Sequence, residues 1–264
     1  MAVSQYKPLL FTTTMRNPAR LKQMLFVLNK FAGQILNDKL AQGIVAECIR
    51  YGIYRPTKQS ASIKEKWNTS QKGTFSKELL TKDEVDFIIK HNPQEHKEAG
   101  FARGYPSRFA TIFDFCKELG LAYYTPGEPI EISELGHHLI DALEVKEVGE
   151  SLFVEEIHPE YETEVFLQAF AKSQRKNPFV RVLNDNIPLI LLLETIRLLN
   201  ADSEFNGAGI SRKELPLLIF WKDNDANALY QCIKELRREY RYNPSDETII
   251  DICIDDLSFA SSTC

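Results

Sequence analysis

Asp86, Glu95 and Lys97 are the residues of this chain whose types and order best match phosphodiester chemistry. Two acids would hold a divalent cation, and a lysine would stand beside the attacking water. That chemistry normally takes all three from adjacent strands. Here Asp86 follows the capping box Thr81-Lys82-Asp83-Glu84, which opens a helix, and Glu95 lies in a polar loop after Pro93. The trio is therefore read as coincidence. Glu144 and Lys146 form another pair without a well-spaced partner, and His91 and His96 read as solvated loop histidines. No G-x-x-x-x-G-K, G-x-S-x-G or H-E-x-x-H pattern occurs. The five cysteines, Cys48, Cys116, Cys232, Cys253 and Cys264, make no C-x-x-C pair, which argues for reduced thiols and against zinc. No catalytic residue, metal ligand or cofactor is assigned to the chain.

The remaining chemistry is the binding of a polyanion. Residues 1–120 carry 19 Lys and Arg against 11 acids, and residues 121–264 carry 13 against 26, within a formal net charge of −5. A phosphate backbone responds to local potential screened over about 8 Å. An acidic protein can thus bind DNA through one basic face, although a solvated basic surface fits the same asymmetry. The leading arm holds Lys7, Thr13, Arg16 and Asn17, with Arg20 just beyond. Laid in a groove, it would put Arg16 and Asn17 at base edges and threonine hydroxyls on phosphates. An edge strand followed by an ordinary helix fits equally. Residues 55–76, including Lys58, read as a long polar loop able to touch a ligand.

The elements that must position these groups follow from caps and periodicity. Asn17-Pro18 opens a helix that ends near Gly33, and a second helix runs from about Asn37 to Tyr51. After the capping box at Thr81, Pro106 starts a helix with Phe109, Ile112, Phe113, Cys116 and Leu119 inward. A hairpin turning at Thr125-Pro126-Gly127 follows, then a helix capped by Ser133. Helix, turn, helix and hairpin form the order of a winged helix.

A similar order returns downstream. Pro188 opens an apolar helix, Ser211 to Glu214 forms a capping box, Asp223 caps a longer helix to about Tyr240, and residues 248–254 alternate like a strand. Pro216 should kink or shorten the capping-box helix. The expected fold is mainly α with small β wings: two winged-helix subdomains at 1–140 and 181–264, joined by an acidic linking subdomain at 141–180.

A helix in the major groove offers its N-terminal outward residues to base edges. In the first unit these are Arg103, Ser107, Arg108 and Thr111, and one of the two arginines is expected to read guanine. In the second, Asn224, Asn227, Gln231 and Lys234 line the side opposite the apolar face, where amides suit adenine. Asn224 also suits a cap, and Asp223 and Asp225 would repel phosphate.

Several stretches resemble a known group. Phe-Thr-Thr-Thr-Met-Arg-Asn-Pro-Ala-Arg-Leu-Lys-Gln at 11–23 resembles the opening of restriction enzymes of the AlwI and BstNBI type. Glu164-Val-Phe-Leu, residues 186–199 and Gly209-Ile-Ser-Arg-Lys-Glu-Leu resemble that group and the recognition domain of FokI. Residues 113–142 resemble FokI's helix, wing and following helix. Length and element order are similar to the recognition half of type IIS enzymes such as BpuJI. The resemblance implies double-stranded DNA as partner, an asymmetric target bound by a monomer, a bacterial intracellular setting and no membrane. It also implies cleavage by a separate C-terminal nuclease domain that this chain lacks, with magnesium needed only there. Base contacts carried over from the group fall on Arg16, Asn17 and the two helix openings.

Overall fold

The computed structural model describes residues 8–9, 19–56, 58–67, 79–97, 100–148, 151–176, 182–205, 209–241 and 243–253. The chain divides into an N-terminal unit, Phe11–Phe166, and a C-terminal unit made of Leu167–Cys264 together with Met1–Leu10. Both are mainly helical. Among the described residues, the strands form two separate two-stranded antiparallel hairpins.

The N-terminal unit is built around α5 (Tyr105–Glu118), which packs on α2 (Asp38–Arg50) and touches α1 (Ala19–Asn29). The five inward positions expected from periodicity are all buried, and so are Tyr105, Pro106, Ser107, Ala110 and Phe115. A helix apolar around most of its circumference belongs in a core. Gly104 turns the chain into α5 at φ 110°, a conformation that disfavours any residue with a Cβ. Local signals hold where a side chain can cap: Asn37 accepts from the Leu40 N–H at 3.0 Å, and Thr81 and Glu84 make both halves of the box that starts α4 (Lys82–His91). The short α3 (Ala61–Trp67) lies inside the stretch read as loop. Its seven residues are too few for a periodic signal.

After α5, β1 (Ala122–Tyr123) pairs with β2 (Glu131–Ile132), and Ser133 caps α6 (Glu134–Ile140). The hairpin loop does not project. Gly127 N–H donates to the Leu36 carbonyl, Leu36 N–H to that of Glu128, and Ile130 N–H to that of Gln34, which pins the loop to residues 33–36.

Gly136 sits against this hairpin. A Cβ there would overlap the Leu121 carbonyl oxygen and lie 2.8 Å from Ile132 Cγ2. Ser133 holds the same carbonyl through its N–H and hydroxyl, both at 3.1 Å, so the carbonyl cannot swing away cheaply. Gly136→Ala is expected to lower stability by about 3 kcal/mol, read as a fall in the urea midpoint with an unchanged slope.

The stretch read as an acidic link contains a second hairpin, β3 (Leu143–Val148) and β4 (Ser151–Glu156), followed by α7 (Pro159–Lys172), which begins in the N-terminal unit and ends in the C-terminal one. Two of its acids have a defined task. Lys22 on α1, 5% exposed, donates to Glu156 and, at 2.7 Å, to Glu162. Burial opposes the ammonium charge, but the two carboxylates outweigh it and raise the Lys22 pKa above its usual value.

In the C-terminal unit, α8 (Pro188–Ala201), α9 (Leu215–Phe220), α10 (Ala226–Tyr240) and α11 (Asp246–Asp251) enclose Leu191, Leu199, Leu217, Trp221, Leu229, Ile233 and Leu236. Pro216 occupies the first turn of α9, which is only six residues long. The cap of α10 is Asp225, accepting from Ala228 N–H at 2.9 Å, while Asp223 accepts from Trp221 Nε1 and Asp225 N–H. Two expectations are corrected here: the cap lies two residues later than read, and residues 246–251 are helix, not strand. Ser245 accepts from the Thr248 N–H at 3.0 Å, and the buried pair Ile249 and Cys253 has helical i, i+4 spacing. Among the described residues this unit therefore has no wing hairpin.

Candidate nucleic-acid interface

The N-terminal unit gathers cations around the stretch from Ile53 to Ser60. Arg20, exposed on the first turn of α1, donates from Nη1 to the Ile53 carbonyl at 3.4 Å. Arg108 on α5 reaches the same stretch: burial raises the Tyr54 hydroxyl pKa, and the Arg108 charge works against that rise. Arg55 donates to the Tyr54 carbonyl at 3.2 Å. Burial brings Arg55 down to about 10, with Glu84 opposing, so it stays charged at neutral pH. Lys58 is exposed.

Asn92 holds this stretch against α5. Its side chain accepts from Ser60 N–H at 2.8 Å and donates to the Lys58 carbonyl at 3.1 Å. Its own carbonyl accepts from the Tyr105 hydroxyl at 2.9 Å. Burial pushes the Tyr105 hydroxyl up to about 12, with the Asn92 bond working the other way. The next residues hold the arginines: Gln94 Oε1 accepts from Arg108 Nη2 at 3.1 Å, and Glu95 pairs with Arg103 through both its carboxylate and its carbonyl. Arg20, Lys58 and Arg108 are thus brought to one stretch of chain by segments far apart in sequence, and Arg103 is held by the loop residue next to the one that holds Arg108.

Other expected contacts are placed differently. Ser107 is 0% exposed, with Oγ 2.8 Å from the His96 carbonyl, 2.9 Å from that of Gly104 and 2.8 Å from His96 Nδ1. It faces the protein, because the first turn of α5 is core. Thr111 Oγ1 is likewise enclosed. Lys7, Thr13, Arg16 and Asn17 lie outside the described residues.

On α10, Asn227 and Gln231 are exposed one turn apart. Asn224 instead joins α10 to the start of α8, accepting from Ile187 N–H at 2.9 Å and donating to the Asp185 carbonyl at 3.3 Å. Lys234 is claimed by Asp202 at 2.6 Å and lies 3.5 Å from Glu204, which also takes Arg238. Those contacts, with a 2.5 Å bond from Tyr230, hold the Asp202 carboxyl well below its usual range and raise Lys234 above its own.

The residues first considered for phosphodiester chemistry fall on different elements. Asp86 lies on α4, and Glu95 is engaged by Arg103 in a loop. Among the described residues no three His, Cys, Asp or Glu side chains are grouped to hold a metal. No described helix is long and apolar enough to cross a membrane.

A model of the AlwI restriction endonuclease family matches residues 117–250, from the end of α5 into α11. That is just over half of the sequence. The chain belongs to the AlwI restriction endonuclease family. It is accordingly of the site-specific deoxyribonuclease kind, from restriction-modification, and its partner is DNA. Comparison with curated proteins and with solved structures gives no match. The residues that sequence reasoning missed are Arg55, Asn92 and Gln94, and Glu95 was weighed only as a metal ligand. The signal available for Asn92 is Pro93 after it: an asparagine before proline is held out of the helix with its amide available to neighbouring backbone.

Proposed function

We propose that this chain is the target-finding part of a type IIS restriction enzyme, reading a short asymmetric site in double-stranded DNA as a monomer inside the bacterial cell. Cleavage, and the magnesium it requires, belong to a separate C-terminal nuclease domain. The observation that carries the reading is the gathering of Arg20, Arg55, Lys58 and Arg108 around Ile53–Ser60, a local positive field on an acidic protein. Family membership supports it. The order α4, α5, β1, β2 supports a winged-helix arrangement in the N-terminal unit, and Asn227 with Gln231 supplies outward amides in the C-terminal one. Two unlike contact surfaces on one chain suit an asymmetric site.

Selection from a randomised duplex pool, followed by base-specific footprinting and a plasmid assay with and without magnesium, tests this. The expected result is a preferred asymmetric duplex without strand cleavage. No preferred duplex, or magnesium-dependent cutting by this chain, would overturn it. Of Arg103→Ala and Arg108→Ala, one is expected to relax preference at one base pair by about tenfold. Lys58→Ala and Lys7→Ala should weaken all duplexes alike and flatten the logarithmic salt dependence by about one unit each.

A further inference from the structure

Resting on that recognition reading, we infer that Arg103 is the base-reading arginine and that Glu95 is the positioning residue that aims it. The two arginines at the opening of α5 are held by adjacent residues of one loop but in opposite ways. Arg103 donates from Nε to the Glu95 carbonyl at 3.1 Å, and its Nη2 stands in ion-pair contact with the Glu95 carboxylate. These two nitrogens form one edge of the guanidinium, so the loop occupies that edge. Nη1 makes no hydrogen bond among the described residues and leaves the terminal edge, Nη1 with Nη2, to meet a planar pair of acceptors such as guanine O6 and N7.

Arg108 is unsuited to that task. Its Nη2 is spent on a neutral acceptor, Gln94, and its Nε is enclosed without a partner. Its charge falls on the Tyr54 and Tyr105 hydroxyls. A half-buried cation held this way, with Nε shut off, supplies positive potential for phosphates, whereas Arg103 stands exposed.

The pair between Arg103 and Glu95 also has the environment of an orienting contact. Both side chains are largely exposed, at 66% and 78%, and exposed ion pairs add little to stability. The Arg237–Glu214 pair, at 1% and 2%, is the structural kind. The loop that carries Glu95 is itself fixed at both ends, by the buried Asn92 and by His96 on Ser107. A rigid loop fixes where the carboxylate stands, and the carboxylate fixes where the fork points. Its negative charge beside the DNA also discourages Arg103 from settling on an arbitrary phosphate.

The test measures Glu95→Ala and Arg103→Lys in the full chain against the selected duplex, its single-base variants and a random duplex, at several salt concentrations. Glu95→Ala is expected to lose about tenfold in discrimination at one base pair while binding random duplex as well as or better than the parent. Arg103→Lys, which keeps the charge and loses the fork, should relax the same base pair. A merely structural role for Glu95 would weaken selected and random duplexes equally, and that result would overturn the inference. So would an unchanged base preference in Glu95→Ala. If the parent chain shows no preferred duplex, the recognition reading fails first and this assignment fails with it. A parent with a clear preference that Arg103→Lys leaves intact refutes the assignment alone.

Discussion

Glu214→Ala is expected to destabilise the C-terminal unit by about 3–5 kcal/mol, because it leaves a buried guanidinium without its counter-charge. Arg237 donates from Nε to Glu214 Oε1 at 2.7 Å and from Nη2 to Oε2 at 2.9 Å, with a further bond to the Gly209 carbonyl. The same carboxylate accepts from Ser211 N–H at 2.8 Å, so removing it also breaks the turn that leads into α9. Urea unfolding followed through Trp221, which is buried in this unit, reads the loss directly.

The pH dependence has a definite sign. Burial alone would raise the Glu214 pKa, but bonds from Arg237 and Ser211 outweigh it and place the folded value below the usual 4.5. A group whose folded pKa is depressed stabilises above its unfolded value and loses that contribution as pH falls through the folded one. Unfolding midpoints of the parent chain should therefore fall on acidification below about pH 4.5, with Asp202 acting in the same direction. Glu214→Ala should show a shallower fall over that range. Equal slopes in parent and variant would show that the pair does not govern acid sensitivity.

Phe109→Ala is expected to cost the N-terminal unit about 3–5 kcal/mol. The ring is 0% exposed and lies 4.9 Å from the rings of both Phe113 and Tyr124 and 5.6 Å from that of Phe101. Tyr124 also bonds Asp114 at 2.6 Å, so the cavity would open beside a polar contact that resists collapse. Phe109→Leu keeps most of the volume and should cost less than the alanine variant. A fall in the denaturation midpoint without a change in slope, larger for alanine than for leucine, is the expected pattern. Because Phe109 adjoins Arg108 on α5, DNA binding should weaken with it.

What could be read along the chain was whatever a few neighbouring residues decide. Thr81 with Glu84, Asn37, Ser133 and Pro106 mark helix starts, because a cap needs only residues three or four positions away. The inward face of α5 was legible from its period, as was the concentration of positive charge in the first half. Residues 248–254 show where the reading failed: Thr248-Ile249-Ile250-Asp251-Ile252-Cys253 suits a strand by alternation and a helix by i, i+4 spacing, and the Ser245 cap decided for the helix. The hairpin β3–β4 was hidden under its acids. Glu144 and Glu155 stand opposite each other, and Lys146 pairs with both.

The charge asymmetry, the caps and the apolar periods were determined by the sequence itself, since each depends on composition or on neighbours within a turn. Which cations share a surface was decided only by tertiary packing. Arg20, Lys58 and Arg108 are separated by tens of residues, and Ser107 and Lys234 are turned from ligand candidates into internal contacts by His96 and Asp202. Such partners are selected by which groups lose water together when the core closes, and no local spacing records that choice.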